Sequence, residues 1–193
     1  HKSKDLVHWT YVGGAYEDDK KPSWEPEAGI WAPDINYING KYVMYYSLSK
    51  WGGGATCGIG VSVSDKPEGP FTDQGKLFRS NEIDVHNSID PFYIEDNGKK
   101  YLFWGSWYGI WGIELTEDGL GLKGGIENAK ATKILVAANT GGTNAYEGSY
   151  ILKRGKYYYL FCSTGTCCDG ANSTYQTVVC RSTELFGPYL NKS

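Results

Sequence analysis

With 193 residues, 40% of them hydrophobic and 21% charged, the chain is long enough for one domain with a sizeable core and too apolar for intrinsic disorder. A net charge of −3 without a basic stripe excludes the electrostatic footprint of a nucleic-acid binder, and no stretch reaches the roughly 18 apolar residues of a membrane-spanning helix. Sixteen Tyr, seven Trp and 26 Gly against a single Met favour strands, tight turns and stacking surfaces over helices, so the expected class is all-β.

In chain order, His1-Lys2-Ser3 reads like the middle of something, and SKDLVHW (3–9) like the closing portion of a preceding module. A strand from Pro33 to Ile38 leads through Asn39-Gly40 into the aromatic run INGKYVMYYSLS (38–49), and a third strand, Gly58 to Ser64, precedes DKPEGPF (65–71). The order recurs. Pro91 to Ile94 leads through Asn97-Gly98 into EDNGKKYLFWGS (95–106), and Ser149 to Leu152 through Arg154-Gly155 into LKRGKYYYLFCS (152–163), followed by Thr177 to Ser182 and TELFGPY (183–189). The anchor glycines Gly40, Gly98 and Gly155 stand 58 and 57 residues apart.

Roughly four strands per period, with Trp and Gly punctuation, is the sequence sign of a β-propeller blade. The expectation is a single partial propeller over 1–193, with blades at about 28–75, 86–135 and 145–190 and a blade remnant at 1–11. Trp104 and alternate residues of 101–105 are expected in the core between blades. Propellers usually need about four blades to close a ring, so either the chain is a fragment or several copies assemble, and an exposed blade face favours self-association.

Asp34, Asp90 and Glu147 precede the three anchor glycines by six, eight and eight residues, so an acid is expected to open the first strand of each module. First strands line a propeller's central channel, where convergent carboxylates can serve glycoside hydrolysis, one protonating the leaving oxygen and another activating water. The competing reading is that such acids cap turns or bind backbone amides at strand starts. Cys57, Cys162, Cys167, Cys168 and Cys180 have no zinc-type spacing and are expected to be buried small apolar groups; Cys167 and Cys168 are read as structural.

WAPDI (31–35), NSIDPF (87–92), YLFWGSWYGIWGIEL (101–115), EGSYI (147–151), CCDGANSTYQTVVCRS (167–182) and GPY (187–189) occur in an order that resembles glycoside hydrolase family 43, and within it the endo-1,5-α-L-arabinanases. The resemblance implies a five-bladed propeller, of which about three blades plus a remnant are present. It implies an inverting, secreted enzyme, extracellular or periplasmic, acting on arabinan or arabino-oligosaccharides without nucleic-acid or membrane partners. Glu147 takes the place of the general acid, and Asp90 that of the carboxylate that orients it and raises its pKa. The family's base lies upstream of the segment matching Ser3 to Trp9, so no residue of this chain takes that role.

Trp31, Trp107 and Tyr146 are candidate sugar-facing aromatics, with Asn87 and Ser106 as polar partners, while core packing between blades is the rival reading. Asp34 is read as a structural acid, and His86 as a surface or hydrogen-bonded residue outside catalysis. No cofactor is assigned, because the family's central metal ion sits near a His of the last blade and His1, His8 and His86 match no such position. A β-xylosidase or α-L-arabinofuranosidase of the same family, and an inactive carbohydrate-binding or self-associating piece, are the alternatives.

Overall fold

The computed structural model describes residues 1–138 and 145–191, excepting the side chain of Asn191. The chain folds into three four-stranded antiparallel sheets, each a meander in which consecutive strands pair. The first holds β1 (Gly29–Ile38), β2 (Lys41–Ser49), β3 (Gly58–Ser64) and β4 (Thr72–Arg79). The second holds β5 (Phe92–Asp96), β6 (Lys99–Trp104), β7 (Ile110–Glu114) and β8 (Ile134–Ala137), and the third β9 (Glu147–Arg154), β10 (Tyr157–Thr164), β11 (Gln176–Ser182) and β12 (Leu190–Asn191).

The turns follow from residue chemistry. A two-residue hairpin turn matched to strand twist needs positive φ at both central positions, and Asn39 (49°) with Gly40 (85°), like Asn97 (52°) with Gly98 (73°), supplies it at little steric cost. The closing segments are also alike, since Gly69-Pro70 and Gly187-Pro188 are both cis.

Alternation along the strands determines the packing. In β6, Leu102 and Trp104 enter one core with Tyr45, Ile59, Val61 and Phe78 of the first sheet, while Phe103 enters a second core with Ile151, Leu160 and Cys162 of the third. The middle sheet is thus buried on both faces, as in stacked propeller blades. Polar ties cross each interface: Tyr45 donates to Gly119 O (2.7 Å), and Tyr158 donates to Asp96 (2.8 Å).

The two outer faces differ. Tyr16 and Phe71 pack with Met44 on the free face of the first sheet, and the segment ahead of β1 is tied to that sheet by a bond from Trp24 Nε1 to Tyr46 (2.9 Å) and an ion pair between half-buried Arg79 and buried Glu25. On the third sheet Tyr150, Leu152 and Val179 remain exposed.

Three expectations need correction. Asp34 does not open its strand: pairing already begins at Gly29 opposite Ser49, and a bulge between Trp31 and Asp34, with Ala32 at φ 43°, puts the acid in mid-strand. Cys57, Cys162 and Cys180 are buried, but Cys167 is half-buried and Cys168 exposed, because both lie in the 165–175 loop beyond β10, where no neighbouring strand covers them. The chain also carries two helices that the strand-rich composition hides, α1 (Ser80–Ile83) and α2 (Gly125–Thr132), with Ala129 of α2 buried in the first core.

Candidate active site

β1 lies beside β5 and β5 beside β9, so the first strands of the three sheets are neighbours. Asp90 sits two residues before β5 at φ 60°, a left-handed conformation that Asp and Asn tolerate better than most side chains. Its N–H donates to Ser47 Oγ on β2 (2.9 Å), and Ser47 pairs with Trp31 on β1, which links the first sheet to the acid of the second.

Glu147 opens β9. Its Oε2 accepts a hydrogen bond from the buried Ser106 hydroxyl (3.0 Å), and the two residues also form a backbone bridge. Asn87 in turn donates from Nδ2 to Ser106 O (3.4 Å) and from its backbone N–H to Gly54 O (2.7 Å). Between the acids, Gly148 donates its N–H to Gly105 O (3.3 Å) and also faces the Asp90 carboxylate. Gly105 is required there, because at φ 139° a Cβ would lie 2.1 Å from Gly109 O.

The electrostatics make the two acids a pair. Burial, and then the Glu147 charge, push the Asp90 carboxyl up to about 7, with the Gly148 N–H opposing the rise. A neighbouring negative charge in a shielded place disfavours ionisation, so Asp90 keeps its proton to a higher pH than an ordinary carboxyl.

The sequence-derived candidates divide. Asp90, Glu147, Asn87 and Ser106 come together, whereas Trp31 is linked to them only by the strand pairing of its backbone with Ser47. Trp107, 56% exposed, stands at the rim at φ 67°, its N–H donating to Tyr146 O (3.0 Å). Tyr146 contributes that carbonyl, while its ring packs into the second core near Cys180, as the rival core reading has it. Asp34 serves the fold: its carboxylate accepts from Tyr93 N–H (2.7 Å) and Asn36 Nδ2 (2.9 Å), and burial raises its pKa. His86 is exposed, its ring edge-on to Tyr108 at 4.6 Å.

Tyr175 is the site residue that the sequence reading missed. Burial raises its phenol pKa, Ser163 opposes the rise, and the Glu147 carboxylate adds to it. Its one sequence cue is its position in the motif stretch 167–182. A groove of about 520 Å³ lined by Tyr101, Glu114, Lys123, Asn128 and Phe186, among others, shares no residue with this constellation, which occupies the open ends of the inner strands. Among the described residues no three His, Cys, Asp or Glu side chains are grouped to hold a metal.

Stacked four-stranded meanders with a carboxylate pair at the head of their inner strands define a β-propeller of the carboxylate-bearing kind. The chain belongs to glycosyl hydrolases family 43, whose model matches residues 1–193. It is 35% identical over 198 residues to the extracellular endo-α-(1→5)-L-arabinanase 1 of Bacillus subtilis, covering 100% of this chain and 59% of that protein. It is 33% identical over 194 residues to arabinan endo-1,5-α-L-arabinosidase A of Aspergillus aculeatus, covering 96% and 58%. Among solved structures, the Cellvibrio cellulosa α-L-arabinanase complexed with arabinohexaose superposes with a TM-score of 0.83 at 32% identity, over 98% of this chain and 65% of that one. The chain therefore spans somewhat under two thirds of these relatives' length.

Proposed function

We propose that the chain is part of a secreted hydrolase of α-1,5-linked arabinan, with Glu147 protonating the departing glycosidic oxygen and Asp90 orienting it. The observation that carries this reading is the placement of Asp90 and Glu147, whose charge raises the Asp90 carboxyl, beside Ser106 and Asn87, in a family whose similar members are named for arabinan. Inversion requires a second carboxylate to activate water at a separation of roughly 6.5–9.5 Å. The resemblance gives that role to no residue here, so hydrolysis by the 193-residue chain is expected to be slower by about 10²–10⁴ than with a positioned base. Secretion is inferred from the relatives named extracellular.

Trp107 and Trp31 are the proposed faces for the flat C–H surface of arabinofuranose, with Asn87 as hydroxyl partner. The endo-acting B. subtilis enzyme and an exo-α-(1→5)-L-arabinofuranosidase of Cellvibrio japonicus are similar to this chain to nearly the same degree, 35% and 34%, which supports the linkage over the mode of attack. The test is oligosaccharide release from linear arabinan at high protein concentration. Residual release is expected to disappear in Glu147→Gln while binding persists; release unaffected by that substitution removes Glu147 from the mechanism.

A further inference from the structure

The 165–175 loop leaves β10 immediately after the strand pair that places Ser163 opposite Glu147. It closes on itself through Thr174 N–H to Thr166 O (3.0 Å) and Thr166 N–H to Thr174 Oγ1 (3.0 Å), and Gly165 is confined by Thr174 O, 2.5 Å from where a Cβ would stand. The loop thus holds Cys167 and Cys168 at the Glu147 end of the third sheet. Cys168 is exposed at φ 66°, Cys167 is half-buried, and neither is in a disulfide.

The two thiols belong to consecutive residues of this closed, solvent-facing loop. The Cys167 thiol is pushed up to about 11, first by its hydrogen bond with Cys168, then by burial and the nearby Cys168 and Glu147 charges. Direct closure to a disulfide is strained, because consecutive Cα atoms lie about 3.8 Å apart whereas relaxed disulfides span roughly 4.4–6.8 Å. A single soft atom inserted between the sulfurs removes that constraint. Of the other three cysteines, Cys162 and Cys180 sit in the second core and Cys57 is buried beside Ser80, and none has an exposed partner thiol among the described residues.

We propose that Cys167 and Cys168 form a chelating site for soft, thiophilic centres of the monosubstituted trivalent arsenical class, at the edge of the Glu147 site. The reaction is a condensation: both S–H bonds break, two As–S bonds form, and the arsenical oxygen leaves as water with no change in oxidation state. The second As–S bond is intramolecular, with an effective thiol concentration in the millimolar range or above, which distinguishes the pair from any single cysteine. An occupied site would also obstruct approach to Glu147, a consequence that rests on the proposed catalytic role, whereas the binding itself does not.

The experiment is mass spectrometry and thiol counting on the native chain treated with one equivalent of phenylarsine oxide. One adduct is expected to persist in excess monothiol and to be released by a dithiol, with loss of the two accessible thiols. Cys168→Ser and Cys167→Ser are each expected to weaken retention about 100-fold or more, and Cys57→Ser to leave it unchanged. Failure to retain the adduct in monothiol, or equal retention by Cys168→Ser, would overturn the proposal.

Discussion

At the residue scale, Asp90 carries a pH signature. Its carboxyl is raised from 3.8 to about 7 by burial and by Glu147, so the native state binds its proton more tightly than the unfolded chain does. The stabilisation is complete below about pH 4 and is lost as pH rises to 7; a shift of that size corresponds to at most roughly 4 kcal/mol. Asp90→Asn keeps the shape and the left-handed backbone and cannot ionise. It is expected to be more stable than the wild type by about 1–3 kcal/mol at pH 8 and equal to it near pH 4. Denaturation series across pH check this, and a pH-independent difference would contradict the coupling.

Both acids were legible as residues because the repeat aligns them against Gly98 and Gly155. Tyr175 and the exposure of Cys167 and Cys168 were not, because they reach the site from a loop with no period to read. Tyr146 misled for a related reason: in the sequence an aromatic beside a candidate acid looks the same whether its ring faces sugar or core, and only the burial of its neighbours decides.

At the scale of elements, the segment between Ile83 and Phe92 is held by polar bonds as well as by apolar packing. Ser88 is fully buried; its hydroxyl accepts from Trp104 Nε1 (3.0 Å) and donates to Val85 O (2.8 Å), while its N–H donates to Ser80 Oγ (2.9 Å). Ser88→Ala leaves the buried indole N–H without a partner and is expected to lower stability by about 1–3 kcal/mol. Since Ser88 stands two residues before Asp90, the pair is expected to loosen as well. Chemical denaturation measures the first effect, and a loss under about 0.5 kcal/mol would show that Trp104 finds another acceptor. The inner hairpins were readable from their Asn-Gly turns and aromatic alternation. β4 (TDQGKLFR), β8 and the two-residue β12 were not, because outer strands are short or polar, and α2 is only eight residues long behind Gly124.

At the scale of the whole molecule, the stack is closed on one side and open on the other. Tyr16, Phe71 and Trp24 cover the first sheet, whereas the far face of the third presents Tyr150, Leu152 and Val179 together with the half-buried Tyr159 and Phe161. Alternation puts these residues on one face, since Tyr150 pairs with Phe161, Leu152 with Tyr159, and Phe161 with Val179. A contiguous apolar face of this kind favours association. We expect concentration-dependent self-association in sedimentation, diminished by the double substitution Leu152→Lys, Val179→Lys; a monomer at all concentrations would contradict it.

The central claim is that the open ends of the inner strands around Asp90 and Glu147 receive arabinan. The most direct measurement is a titration of the 193-residue chain with arabinohexaose, followed by amide and indole chemical shifts. The expected result is saturable perturbation at Asn87, at Gly105 to Tyr108 including the Trp107 indole, and at Glu147 and Gly148. No perturbation at millimolar sugar, or perturbation confined to the groove beside Tyr101 and Phe186, would contradict the claim.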